Sequence, residues 1–160
     1  MRRTLWALAS VPLIIALAAG PAAAAPGGTG HTVTSTQHQH GVFTDPNAIN
    51  PCTGHVFTLT VDGNSVTHIT FFPGEDELWF TFTETGKFTG MDGGVTYTGH
   101  FAVWVNQNVN ERNSNSTFTF SVRAFGSDGS VIIGHEVVHF TMNANGDLTV
   151  EFDKPSITCG

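Results

Sequence analysis

The sequence predicts an all-β protein, an antiparallel up-and-down meander of about eight strands that closes into a barrel. Three observations carry that expectation. After residue 30 no window shows a helical period, while Thr, Val and Phe alternate with polar neighbours at the period of a strand. The alternating runs are punctuated by "DGN", "FPGED", "MDGG", "GSDGS" and "NANGD", which is turn chemistry. Short turns pair successive strands antiparallel, and a sheet of about eight strands loses its exposed edges by closing on itself. A β-sandwich is the alternative.

The chain opens with a segment outside that pattern. "MRR" is basic, "LWALASVPLIIALAAG" is apolar, and "PAAAA" supplies small residues for cleavage, so residues 1–24 read as a secretory signal peptide. Cleavage is placed after Ala24, because cutting after Ala25 leaves Pro26 first. The residues that flank a twin-arginine signal are missing around Arg2 and Arg3, which favours the general secretory route. Residues 25–30, "APGGTG", read as a flexible start, and 31–160 as one domain.

Within that domain the candidate strands run 31–43, 55–61, 65–72, 77–88, 95–105, 117–125, 130–142 and 147–153. Two longer connections remain, "DPNAINPCTG" and the asparagine-rich "NQNVNERNSNS". The last two hairpins allow a register. A three-residue loop with Gly129 in the left-handed conformation sets Ala124 opposite Ile132, Val122 opposite Gly134 and Phe118 opposite Val138. The same loop type ending at Gly146 sets Met142 opposite Leu148, Phe140 opposite Val150 and Val138 opposite Phe152. Every apolar residue then shares one face, whereas a two-residue Asn145–Gly146 turn would set Phe140 opposite Glu151.

That register bears on "HEVVH" at 135–139, which spells the HExxH signature of zinc proteases. The signature works on a helix, where residues four apart reach one metal; on a strand they stand ~13 Å apart. The register puts His135 and His139 on the polar face, His139 opposite Glu151, and Glu136 on the apolar one. A zinc protease is therefore not expected. Glu136 falls in a row with Phe120 and Lys154, where it either pairs with Lys154 at the barrel rim or makes a polar contact in a ligand pocket. His38 and His40 share a strand face and could hold copper or zinc if a third ligand approached. No metal site is assigned.

Charge narrows the partners. Beyond the leader, Lys87, Arg112, Arg123 and Lys154 face all thirteen acidic residues, a balance that disfavours nucleic acid and anionic membranes. No Gly-rich phosphate loop or GxSxG is present, so no cofactor or catalytic residue is assigned. The two cysteines, Cys52 and Cys159, are read as a disulfide of an exported protein. In an eight-stranded meander, however, the start of the second strand and the end of the eighth lie at opposite barrel ends, a conflict the sequence leaves standing.

At "NPCTG", "YTGHFAVWV", "TFTFSVRAFGSDGS", "HEVVHF" and "FDKPSITCG" the chain resembles a group of small secreted proteins of actinobacteria, over roughly residues 50–160. Its exported meander is similar to lipocalin-like and allene oxide cyclase-like barrels. The resemblance implies a fold and no activity. The functional expectation is a secreted, non-catalytic barrel that binds a small apolar ligand, or a protein partner through its loops, with Glu136, Phe120, Phe140 and Trp104 as candidate ligand-binding residues. The alternatives are a barrel enzyme using Glu136 with a nearby histidine as acid and base, and a histidine-based metal binder.

Overall fold

The computed structural model describes residues 31–73, 77–110 and 113–160; the expected signal peptide, 1–24, and the expected mature start, 25–30, fall outside the described residues. The fold is all-β. One sheet holds seven strands in sequence order, every neighbouring pair antiparallel: β1 Val33–Ile49, β2 Val56–Phe72, β3 Glu77–Asp92, β4 Val95–Val109, β5 Asn113–Gly126, β6 Val131–Asn143 and β7 Leu148–Cys159. Among the described residues no helix is long and apolar enough to cross a membrane.

Seven strands stand where eight were expected, because the segments 55–61 and 65–72 form one strand. Asp62, Gly63 and Asn64 have turn chemistry, yet they run extended, paired to Val42, Gly41 and His40 on one side and to Lys87, Gly86 and Thr85 on the other. The correction removes the conflict over the cysteines. With seven strands the β1–β2 turn and the end of β7 lie at the same end of the sheet, and Cys52 and Cys159 form a disulfide with Cα atoms 5.8 Å apart. Such a bond is compatible with oxidising, extracellular surroundings.

The disulfide also dictates curvature. In a flat sheet β2 and β7 would stand five strand spacings apart, ~24 Å, so a Cα separation of 5.8 Å requires the sheet to curl until the β1–β2 turn reaches the end of β7. The curl stops short of the barrel that was expected: β1 and β7 pair only with β2 and β6, respectively, and not with each other.

Glycines on the inner face allow the curl. Gly63 and Gly86 face each other, and the ring of Phe101 lies over both, so that a Cβ on Gly86 would meet it at 2.6 Å. Phe88 covers Gly99 in the same way, at 2.5 Å. The consolidated core lies beside the disulfide, where Tyr97, Ala124 and Ile132 are buried against Cys52, Phe88 and Val95.

The turn that carries Cys52 is held by polar contacts. Asp92, buried at the end of β3, accepts hydrogen bonds from the Thr53 hydroxyl at 2.7 Å and the Asn50 amide at 2.8 Å, and lies 3.0 Å from His55 Nδ1. Asn50 Oδ1 in turn accepts the Cys52 amide at 2.9 Å. The Thr53 hydrogen bond, with those of His55 and Asn50, holds the Asp92 carboxyl below the usual carboxylate range against the opposing effect of burial.

The last two hairpins have the turns the sequence specifies. Gly126 and Ser130 close one loop with Gly129 at φ +90°, and Asn143 and Asp147 close the other with Gly146 at φ +82°. The β5–β6 register is the expected one, with Ala124 opposite Ile132, Val122 opposite Gly134 and Phe118 opposite Val138. The β6–β7 register is not. Met142 meets Leu148, but a bulge between Thr141 and Met142 shifts the rest, so that Thr141 faces Val150, Phe140 faces Glu151, His139 faces Phe152 and Val138 faces Asp153. Beyond the bulge each β7 side chain is moved to the other face from the one expected.

The reason lies at the far end of β7. The expected register would turn Cys159 and Ile157 outward, yet Cys159 has to meet Cys52, which packs against the buried Ile132. The bulge brings Ile157 and Cys159 inward, opposite Gly134 and Ile132, and leaves Val150 and Phe152 48% and 36% exposed on the outer face.

Candidate functional site

Alternation and register together place the inner face. Away from the disulfide end, Phe82, Val105, Phe118 and Val138 form one transverse row across β3 to β6. The neighbouring row runs Glu84, Val103, Phe120, Glu136 and ends on Pro155; on the other side Phe80, Gln107, Ser116 and Phe140 form a third. Of these side chains only Val103 and Ser116 are buried, and the phenylalanines are partly buried. The inner face is thus lined with aromatic side chains, packed into the core cluster at the disulfide end and partly buried toward the other.

Three of the four candidate ligand residues, Phe120, Glu136 and Phe140, lie together on this face. Trp104 does not: it stands on the outer face between Thr83 and Thr119, 55% exposed. In the sequence Trp104 sits in "FAVWV", where an apolar residue at every position hides the phase; the neighbours Val103 and Val105 are the inward ones.

Glu84 was not among the candidates, although "FTFTET" puts it in phase with Phe80 and Phe82. It brackets Val103 and Phe120 from the β3 side as Glu136 does from β6. Burial pushes both carboxyls above the usual range, and Asp153, on the same face of β7, pushes Glu136 further in that direction. The expected pairing of Glu136 with Lys154 is overturned by the β7 bulge: Lys154 points outward opposite Val137, its ammonium 4.6 Å from the Phe152 ring centroid.

A raised carboxyl holds its proton longer in the folded chain than in the unfolded one. Its stabilising contribution is therefore complete below the unfolded value and is lost as pH rises through the folded one. Glu136→Gln is expected to raise the melting temperature at pH 7 and to leave it nearly unchanged at pH 4. Equal shifts at both pH values would show that ionisation of Glu136 is not the cause.

The histidines lie elsewhere. HEVVH is part of strand β6, with His135 and His139 on the outer face and Glu136 on the inner, so the three do not converge. His139 Nδ1 and the Thr117 hydroxyl share a hydrogen bond of 2.8 Å, and His135 Nδ1 and the Ser121 hydroxyl one of 2.9 Å. His139 faces Phe152 rather than the expected Glu151. His38 and His40 share the outer face of β1, where His40 Nε2 lies 2.8 Å from Asp62. Register also sets His68 and His100 outward, so no strand histidine shares the face of Glu136 as the acid–base alternative requires. Among the described residues no three of His, Cys, Asp and Glu come together as a metal would need.

Comparison with family models, curated proteins and solved structures finds no match to this chain.

Proposed function

We propose that the protein is a secreted, non-catalytic binding protein that takes a small apolar molecule into the trough of its curled sheet, with Phe120, Phe140 and Glu136 in contact. The observation that carries this reading is the uneven filling of the inner face. Tyr97, Ala124 and Ile132 form a buried core at the disulfide end, while Phe80, Phe82, Phe118, Phe120 and Phe140 are only partly buried toward the other. Apolar surface left in water is what a ligand of matching chemistry covers at a gain of ~25 cal/mol per Å². The carboxyl of Glu84 or Glu136 would supply the polar contact that orients such a ligand.

Export rests on the leader-like residues 1–24 and on the disulfide, and the resemblance to small secreted actinobacterial proteins with lipocalin-like barrels points the same way.

The test is titration of the purified protein with an environment-sensitive apolar fluorophore, followed by competition with fatty acids of graded chain length. Saturable binding is expected, weakened roughly tenfold or more by Phe120→Ala or Phe140→Ala, because one buried ring contributes on the order of 1.5–3 kcal/mol. Absence of saturable binding, or binding indifferent to both substitutions, would sink the reading and leave the loops as the place to look for a partner.

A further inference from the structure

The outer face carries an arrangement that the trough does not explain. Lys87, His100 and Arg123 stand side by side on β3, β4 and β5, each directly opposite the next and all exposed. They include two of the four Lys and Arg residues beyond the leader, in a chain with thirteen acidic residues. Lys87 and Arg123 both face His100, so neither has a carboxylate opposite it on that side. The side chains of Lys87 and His100 have no hydrogen bond or ion pair among the described residues. Asp62, opposite Lys87 at the edge of the row, is engaged by His40 at 2.8 Å, and the Arg123 guanidinium lies over the Phe125 ring at 5.1 Å.

Farther along β4 on the same face is Trp104, in a shallow depression of about 320 Å³ lined by Thr81, Thr83, Asn106, Thr117 and Thr119. Apart from Thr117, which holds His139, these polar side chains and the indole N–H have no partner among the described residues. Between the two features lies Ala102, flanked by Thr85 and Ser121, so small side chains floor the path from the indole to the cations. His100 and Trp104 are four strand residues apart, ~13 Å, more than one hexose ring and within a short oligosaccharide.

The geometry points to an acidic oligosaccharide, a chain of hexuronic acid units, lying along the outer face of β4. Trp104 stacks on the apolar face of one ring, and the threonine hydroxyls and the Asn106 amide bond its hydroxyls. Lys87, His100 and Arg123 hold the carboxylate of a second unit. An aromatic platform with hydroxyl and amide donors suits a pyranose, and the cation row selects the charged one.

The probe is a set of oligogalacturonides, with neutral dextran oligosaccharides and single-stranded DNA as controls, read by tryptophan fluorescence and by calorimetry. Oligogalacturonides are expected to quench the fluorescence saturably and to bind more weakly as salt rises, while neither control binds. Trp104→Ala and, separately, Lys87→Gln with Arg123→Gln should each weaken binding at least about tenfold. All three positions are exposed, so the melting temperature of each variant should stay near that of the parent, which separates lost binding from lost folding. Absence of oligogalacturonide binding at millimolar concentration overturns the proposal. Binding that survives either set of substitutions does so too, as does equal binding of DNA, which would mark a site for any polyanion.

Discussion

Replacing Cys52 and Cys159 together by serine is expected to lower the stability of the folded protein by on the order of 4 to 5 kcal/mol, because the disulfide closes a loop of sequence separation 107 and long loops gain most from closure. Few other pairs of substitutions could do as much. The loss should also be local in its first effect. Without the bond nothing covalent keeps the β1–β2 turn against β7, and the cluster of Tyr97, Ala124 and Ile132 loses Cys52 as a packing neighbour. Urea unfolding of the double variant beside the parent gives the number directly. A midpoint within experimental error of the parent would mean that the Asp92, Asn50 and Thr53 contacts hold the turn without the disulfide.

The second large effect is expected at glycine. A Cβ on Gly99 would run into the Arg123 carbonyl oxygen and stand 2.5 Å from the Phe88 ring. The carbonyl belongs to the neighbouring strand and cannot turn away, so Gly99→Ala forces β4 and β5 apart or straightens the curl. We expect a loss of about 2 to 3 kcal/mol, within the range found for overpacked cores. Adding Phe88→Leu should recover less than half of it, since that change frees the ring side and leaves the carbonyl in place. Thermal melts of the single and double variants decide: full recovery would locate the whole strain in the ring, and no loss in Gly99→Ala would show that the sheet can flatten freely there.

These two sites show how unevenly the sequence discloses the structure. Period-two alternation was enough to read the Phe118, Phe120, Val138 face and its pairing across β5 and β6, because both strands are central and Gly129 fixes their loop. It misled at Asp62–Asn64. There the local residues favour a turn, but the preference for backbone pairing on both sides, with β1 and β3, outweighs it, and Gly63 serves close approach to Gly86 instead. Alternation misled again along β7, where Leu148, Val150 and Phe152 suggest one buried face. The need to deliver Cys159 and Ile157 inward decides the register from the other end, and the bulge absorbs the difference. Both errors arise where a distant contact overrides a local pattern.

The same two facts set what was legible of the candidate surfaces. Phe120, Glu136 and Phe140 could be grouped from one strand pair. Glu84 needed the phase of β3 relative to β5 and β6, which strand-by-strand reading does not supply. The Lys87, His100 and Arg123 row joins three strands through two registers, and no spacing within the sequence marks it.

The position of the disulfide has a mechanical consequence. Of the described chain, only β1, its turn as far as Cys52, and Gly160 lie outside the covalent loop, while β2 through β7 lie within it. A pull on the two ends loads β1 along its length, because Val33 and the disulfide lie at opposite ends of the sheet, and then meets a covalent stop. That stop comes early, because some twenty residues reach about 70 Å at full extension and the strand β1 already spans about 56 Å of it in the sheet. The remaining six strands are shielded from tension applied at the ends for as long as the bond stays oxidised, so a tug or a nick within β1 would cost one edge strand and leave the rest of the sheet standing.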